Sequence, residues 1–411
     1  MFGFNDYFDK KKVNKGYKDC SCEIRDYMLL LDMLLEHYID AKTNSSEGLI
    51  FSRGMKMTET EIEAYFFKAP SERVSTGYDE DFAGQVRQAF VYIESRIDHT
   101  PDEVRLPIRD CAARLELDRD EIFVLILALS MQIDMKYTRL YGYISGEPSM
   151  QYPTVGVYQA LYETFDPAGA AGAVAKISDT DGRLIRLCMD MSVILEKKRP
   201  HLHTPLVIRG EVLKVLTASE AEHNRTDSYA DGVRGEYTSG TAGNEALSCE
   251  DIVLGVLPES YNRLAENISR IEKNIRGENG FLKPRGSEAE SAYYYIECED
   301  PGDVRAIMAS LPGKYVTVDA DSILAEKEDE PYALLQPYIT RLALGGGRPL
   351  IRCKDDKYLK KISSVFSDFT PVYIYGAKEM PKDLLHAKDG FMATPIEVSL
   401  PDVRERLSIW K

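Results

Sequence analysis

The chain has 411 residues and a mass of 46.4 kDa, which gives room for two or three domains of about 100–200 residues and excludes a single small domain. Hydrophobic residues at 44%, charged residues at 29% and a mean hydropathy of -0.31 are typical of a water-soluble globular protein and exclude a disordered chain. The formal net charge of -16 repels phosphate backbones, so nucleic acid is a poor candidate partner.

The sequence contains no signal for export or membrane insertion. Its start, Met1-Phe-Gly-Phe-Asn-Asp, lacks the basic region and apolar stretch of a signal peptide. Its longest apolar run, residues 122–129, is shorter than the ~18–20 residues of a membrane span. The 7 cysteines are scattered, without the spacing of a disulfide framework or a zinc site. We therefore expect a cytoplasmic protein without a metal site.

The first part of the chain predicts a helical head. Residues 1–22 lack periodicity and are expected to form a tail or a docked extension. Apolar residues recur at intervals of three and four over residues 23–39 and again over residues 82–97, which predicts two amphipathic helices. We place the head at residues 23–218.

The pattern over residues 106–129 predicts two helices joined by a tight turn. Pro107 suits the first turn of the first helix, and Asp118 with Glu121 three residues later forms a capping box at the start of the second. A helix-turn-helix or winged-helix module is the structural candidate, and such modules often bind DNA. The second helix is apolar on every face, whereas a recognition helix presents polar side chains to base edges. We therefore expect a buried helix in a structural module.

More helices are predicted in the rest of the head. Thr154 is a candidate helix cap, and residues 168–175 are predicted as a loop leading into a helix, because a phosphate loop would need a preceding strand and a Lys-Ser/Thr pair. Residues 182–195 are predicted to be helical. His201 and His203 are two apart, which would place both on one side of a strand. No third metal ligand is in view, so we expect hydrogen-bonded or solvated histidines.

The composition changes after the head. Residues 219–250 are polar, with few aliphatic side chains, and are predicted to be a linker or mobile loop. Strand-like and helix-like runs then alternate, with strands predicted at residues 292–297, 315–319, 349–353, 371–375 and 394–399. Such alternation predicts an α/β domain with a mainly parallel sheet, over residues 251–411.

Three stretches of the sequence carry a resemblance. The first, residues 106–143, continues from the apolar helix into Ile133-Asp-Met-Lys-Tyr-Thr-Arg-Leu-Tyr-Gly-Tyr-Ile. The second contains Tyr152-Pro-Thr-Val and His201-Leu-His-Thr-Pro-Leu. In the third, residues 391–410, a predicted strand ends in Pro-Asp and enters a helix with Arg and large apolar residues. Together they resemble the winged-helix head and first ATPase domain of the large AAA+ ATPases, some of which are encoded beside phage-tail-like contractile injection systems.

The resemblance implies a head, a first ATPase domain that is often degenerate, and a second, competent ATPase domain. It identifies residues 251–411 as a degenerate P-loop-like α/β domain without its helical lid. By the same resemblance, the activity of the whole protein would be ATP-driven remodelling of a protein partner. ATP and Mg are then expected only in a second domain, and an oligomer only for the full-length protein.

The residues at the expected nucleotide site depart from the AAA+ pattern. A phosphate loop reads G-x-x-x-x-G-K-[ST] between a strand and a helix, and its Lys and backbone amides hold the phosphates. The corresponding positions here contain Cys298, Glu299, Asp300, Gly302 and Asp303. The Lys is absent, and the acidic side chains would repel a triphosphate.

The expected magnesium-binding strand departs from the pattern as well. Its apolar residues should lead directly into Asp-Glu, but Arg352 and Lys354 intervene, and Asp355 and Asp356 come later. Gly376 stands where a polar sensor side chain would be expected. We therefore predict no catalytic residue and no bound cofactor, so that this chain alone would be inactive as an ATPase.

The leading hypothesis is a non-catalytic head and degenerate AAA+ domain that serves partner binding and assembly. Its partners would be proteins or its own ATPase domain, and neither nucleic acid nor membrane. The alternatives are a nucleotide-binding enzyme with an atypical phosphate loop and a DNA-binding winged-helix regulator. On the last predicted helix, Leu407, Ile409 and Trp410 would lack a packing partner, so we expect the natural protein to continue beyond Lys411.

Overall fold

The computed structural model describes residues 7–8, 15–44, 78–145, 149–178, 182–194, 200–217, 246–247, 263–270, 282–283, 292–298, 304, 307–308, 315–325, 331–377, 379, 393–398 and 404. The chain divides into two compact units, Met1–Glu220 and Ala221–Lys411.

The first unit, the head, is built from helices around a central one. α1 supplies that centre, because α2, α3, α4 and α6 all pack against it. Its leucines Leu30, Leu31, Leu34 and Leu35 are buried. The described helices are α1 (Cys20–Asn44), α2 (Glu80–Asp98), α3 (Pro107–Leu115), α4 (Arg119–Ile133), α5 (Lys136–Ile144), α6 (Val155–Tyr162), α7 (Ala170–Ile177), α8 (Met191–Ile194) and α9 (Gly210–Thr217).

Local signals determine where two of these helices begin. The Asp118 carboxylate accepts the backbone N–H groups of Asp120 and Glu121 at 3.1 Å each, and the Glu121 carboxylate accepts the N–H of Asp118 at 3.0 Å. The predicted capping box of α4 is therefore confirmed. Thr154 accepts the N–H of Val157 at 3.2 Å, which confirms it as the cap of α6. As predicted from its apolar faces, α4 is buried over most of its length.

The described residues before α1 lie against the head. The Tyr17 N–H donates to the Thr100 hydroxyl at 2.8 Å, and the Tyr17 hydroxyl donates to the Asp26 carboxylate at 3.2 Å. Tyr7 and Arg96 donate to the same carboxylate at 2.8 Å each. Because the Asp26 side chain is wholly buried, these three donors compensate its lost hydration and fasten the segment to α1 and α2.

The helix predicted over residues 182–195 is interrupted, so that prediction is wrong in part. Leu184–Cys188 form a π-helical turn, and Met189 then takes an extended conformation with φ -95 and ψ 155. Met189 pairs with Ile208 in an antiparallel bridge, which is a contact the local pattern does not contain. Only the short α8 follows before residue 195.

Short extended segments complete the head. The Leu206 N–H donates to the Pro153 carbonyl and the Asp190 N–H to the Val207 carbonyl, both at 2.8 Å. The segment after α8 therefore pairs with the segment before α6 and with the segment before α8. These paired extended segments accompany the α6–α7 helix pair, and the head also contains the α3–α4 helix pair.

The second unit contains a six-stranded sheet. Its strands are β1 (Ala246–Leu247), β2 (Tyr293–Glu297), β3 (Tyr315–Asp319), β4 (Arg348–Arg352), β5 (Val372–Tyr375) and β6 (Ala393–Glu397), and its named helices are α10 (Ala320–Leu324), α11 (Pro331–Gly345) and α12 (Leu359–Val365).

The strand order is β1-β3-β4-β5-β2-β6. β1 is antiparallel to β3, and every other neighbouring pair is parallel, which confirms the predicted mainly parallel sheet. β1 lies within residues 219–250, where the sequence suggested only a linker or loop.

Both faces of the sheet are covered. On one face, Ile296 and Tyr373 belong to a buried cluster with Leu264, Ile268 and Val304, which lie in helical residues. On the other face, the Tyr293 hydroxyl donates to the Ser363 carbonyl in α12 at 2.8 Å. A parallel sheet covered on both faces leaves its strand ends as the accessible positions for a site.

Candidate functional site

The strand connections identify where a ligand site would lie in the second unit. From β2 the chain crosses past β5 and β4 to reach β3, and from β5 it crosses past β2 in the opposite direction to reach β6. Adjacent strands whose connections leave in opposite directions flank a crevice at their carboxyl ends, and open α/β sheets bind ligands there. The candidate site is therefore formed by the carboxyl ends of β2, β5 and the neighbouring β4.

The end of β2 corresponds to the predicted phosphate-loop position. Cys298 is 5% exposed, lies in the buried cluster on one sheet face, and donates its N–H to the Ile296 carbonyl at 2.7 Å. Its thiol is therefore part of the core and not an accessible ligand. The other predicted positions, Glu299, Asp300, Gly302 and Asp303, lie outside the described residues.

The end of β5 is closed by main-chain contacts. A Cβ atom added at Gly376 would lie 2.4 Å from the carbonyl oxygen of Cys353 in the neighbouring strand connection. The next residue, Ala377, donates its N–H to the hydroxyl of Tyr295 at 2.9 Å, and the Tyr295 side chain is fully buried. A side chain at position 376 would therefore need a backbone shift, which glycine avoids.

The end of β4 contains a basic residue in an ion pair. Arg352 donates to the Asp319 carboxylate at 2.8 Å, with the two side chains 32% and 12% exposed. Asp319 also accepts the N–H of Ser322 at 3.2 Å and so caps α10. Position 352 therefore holds a positive charge where a magnesium-binding carboxylate would be negative. The nearby Asp319 carboxylate already forms an ion pair with Arg352.

Asp355 lies in a turn whose backbone N–H groups are hydrogen-bonded to nearby carboxylates. The backbone N–H groups of Lys354 and Asp355 donate to the Asp321 carboxylate at 2.7 and 3.2 Å. The Asp355 carboxylate accepts the N–H of Lys357 at 3.1 Å, at the 3-10 turn that begins with Asp356. The Asp355 carboxylate therefore stabilises this turn.

A thiol lies beside this turn. Burial raises the pKa of the Cys353 thiol, which donates to the Asp355 carbonyl at 3.3 Å. Burial therefore favours the neutral thiol over the thiolate that a nucleophile or metal ligand would need.

Asp319, Asp321 and Tyr295 belong to the site but to none of the predicted site motifs. For the two aspartates a signal existed, since Asp319 is the last residue of the predicted strand 315–319, Asp321 comes two residues later, and the carboxyl ends of parallel strands meet at one sheet edge. For Tyr295 no local signal existed, because its role depends on a contact with a residue 82 positions away.

The described residues contain no group of three or more His, Cys, Asp or Glu side chains that could hold a metal ion. His201 and His203 form an exposed 3-10 turn, so their predicted placement on a strand is wrong. The His201 ring is hydrogen-bonded to the Ser178 hydroxyl, as predicted for a hydrogen-bonded histidine. Among the same residues, no helix combines the length and the apolar composition needed to cross a membrane.

The described helix pairs of the head expose few side chains of the kind that read base edges. α4 is buried over most of its length and exposes Arg119 and Gln132 at its two ends, while α7 exposes the small residues Ala171, Gly172 and Ala175. The Lys176 ammonium of α7 forms ion pairs with Asp118 and Asp120. Readout of base edges uses exposed Arg, Lys, Asn or Gln side chains on the recognition helix.

Residues 9–175 match the family model described as a winged helix domain, variant. The match covers the α3–α4 pair and confirms the predicted winged helix in the head. No curated protein and no solved structure matches the chain.

Proposed function

We propose that this chain is the head and degenerate first ATPase domain of a cytoplasmic AAA+ ATPase, and that it serves partner binding and assembly rather than catalysis. Numbered along the chain, the five parallel strands lie in the order 5-1-4-3-2, reading from β6 to β3. This is the order of the AAA+ core sheet, so it supports the resemblance. Remodelling of a protein partner, in some relatives within contractile injection systems, is the activity that the resemblance implies.

The main support for a domain that does not bind nucleotide is the crevice between β2 and β5. There the Gly376 backbone lies against the Cys353 carbonyl, and the Tyr295 hydroxyl accepts a hydrogen bond from the N–H of Ala377. The end of β5, where the resemblance would place a polar sensor, is therefore closed by main chain and by a buried side chain. The absence of a phosphate-loop Lys in the sequence agrees with this reading.

The electrostatics of the neighbouring strand favour the same conclusion. Arg352 and Asp319 neutralise each other at the place where Mg²⁺ would need uncompensated carboxylates. ATP and Mg would then be bound by a second domain of the protein. The net charge of -16 and the burial of most of α4 support protein partners over nucleic acid.

Calorimetric titration of the full chain with ATP and Mg tests the proposal. We expect no binding at micromolar nucleotide, and the same result for Asp300→Ala, because removal of one acidic side chain does not restore the missing Lys. A dissociation constant in the micromolar range would overturn the proposal and favour a nucleotide-binding enzyme. Duplex DNA binding that weakens steeply with salt would instead favour a winged-helix regulator.

A further inference from the structure

Two cysteine thiols from distant parts of the sequence lie side by side in the core of the head. Cys111 belongs to α3 and is 3% exposed, and Cys188 is the last residue of the π-helical turn and is fully buried. The Cys188 thiol is hydrogen-bonded to the Cys111 thiol, and both cysteines are free. The head therefore contains a contacting pair of reduced thiols.

Contacts at both ends of the π-helical turn hold it against α3. At its start, the Arg183 guanidinium forms an ion pair at 3.0 Å with Glu116, the residue that ends α3. At its end, the Cys188 carbonyl accepts the N–H of Arg209 at 3.0 Å, one residue before α9, and α9 packs against α3. A disulfide needs a backbone that already brings its two cysteines together, and these contacts provide that backbone.

The other close pair of cysteines in the head lacks this arrangement. Cys20 and Cys22 both belong to α1, where they stand two positions apart. Residues two apart on a helix do not face each other, so their thiols are not held for a disulfide. The Cys111–Cys188 pair is thus distinguished by its geometry and not by its spacing in the sequence.

The surroundings of the pair protect it from rapid oxidation. The hydrogen bond to Cys111 raises the pKa of the Cys188 thiol, and burial raises it further. Since the thiolate is the reactive form, oxidation requires a local opening of the head that admits the oxidant. After the head closes, the same burial shields the product from reductants, so the modification is slow to form and slow to reverse.

We propose that Cys111 and Cys188 are a redox-active dithiol, which a small disulfide such as oxidised glutathione converts into an intramolecular disulfide between α3 and the π-helical turn. One cysteine thiolate attacks a sulfur of the oxidant, which forms a mixed disulfide and releases the first glutathione. The other thiolate then attacks the protein sulfur of the mixed disulfide, which forms the internal bond and releases the second glutathione.

The exchange balances without a further reactant. The protein loses two electrons and the oxidant gains them, and the two thiol protons pass to the two glutathione molecules released. In the reducing cytoplasm expected for this chain the pair would be held as thiols, so the disulfide would form when the glutathione pool becomes oxidising. This inference does not depend on the proposed function.

The test equilibrates the full chain in mixtures of reduced and oxidised glutathione without denaturant, followed by acid quenching, alkylation and peptide mass spectrometry. We expect a linked peptide that contains Cys111 and Cys188. The oxidised chain should also unfold at a higher urea concentration than the reduced chain, because the cross-link restricts the unfolded state. Cys111→Ala should lose both effects, whereas Cys22→Ala, a matched control at a half-buried cysteine of α1, should keep them.

Three results would overturn the inference. The first is the absence of the linked peptide at every glutathione ratio, and the second is its formation only in concentrated urea. The third is a lower urea midpoint for the oxidised chain, which would mean that the folded head does not accommodate the bond. Since the oxidised and reduced chains share one sequence, their comparison decides the question even if Cys111→Ala does not fold.

Discussion

Glu23 is a buried acid whose ionisation should make the stability of the head depend on pH. Its side chain is fully buried on α1, and its carboxylate accepts the N–H groups of Ile108 at 3.0 Å and Arg109 at 2.8 Å at the start of α3. Burial favours the neutral acid, and the two backbone donors favour the anion. Burial is the larger effect and raises the pKa of Glu23 to about 7, with a smaller increase from the charge of Asp110.

The direction of the pH dependence follows from the pKa of Glu23 in the folded and the unfolded chain. The ordinary pKa is 4.5, so between pH 4.5 and about 7 the folded head retains a proton that the unfolded chain has released. Stability from this group is therefore fully present below pH 4.5 and is lost as the pH rises through about 7. At 1.36 kcal/mol per pH unit, the total loss is about 3 kcal/mol.

Glu23→Gln removes this titration while keeping a hydrogen-bond acceptor. Relative to the unsubstituted chain, the variant should gain about 3 kcal/mol of unfolding free energy between about pH 4.5 and pH 8. Urea unfolding followed by circular dichroism at several pH values measures this difference. Glu36→Gln, an exposed position on the same helix, is the control and should run parallel to the unsubstituted chain. Parallel profiles for Glu23→Gln as well would refute the reasoning, because they would mean that the backbone donors outweigh burial.

Two further substitutions test the packing of each unit by urea unfolding. Leu125→Lys should destabilise the head by about 3–5 kcal/mol, because Leu125 is fully buried and the new charge would have no partner, whereas Gln132→Lys on the exposed end of the same helix should be nearly neutral. Gly376→Ala should cost about 1–3 kcal/mol, because its Cβ would meet the Cys353 carbonyl, whereas Gly345→Ala, with open space around it, should not destabilise. Equal stability within either pair would contradict the packing described here.

The structural elements that could be predicted from the sequence are those that neighbouring residues in the chain determine. The capping box of α4 and its apolar faces stand in consecutive residues, so both could be predicted. The break at Met189 could not be predicted, because the bridge to Ile208 outweighs the helical pattern only after the chain has folded. The same holds for the candidate site. There Gly376 lies close to the carbonyl of Cys353, and a contact between two separate segments of the chain cannot be seen in the local sequence.

Part of the excess of acidic residues has a structural use at helix starts and turns. Backbone N–H groups at helix starts and turns are the donors with which phosphate sites are built. In this chain three such groups of N–H donors are taken by its own carboxylates: Glu23 accepts those at the start of α3, Asp118 caps α4, and Asp321 accepts both N–H groups after β4. A tethered carboxylate acts at a high effective concentration, so a free phosphate would have to displace it and then approach a chain of charge -16. The same residues that hold these helix starts and turns in place therefore oppose the binding of a free anion at these N–H groups.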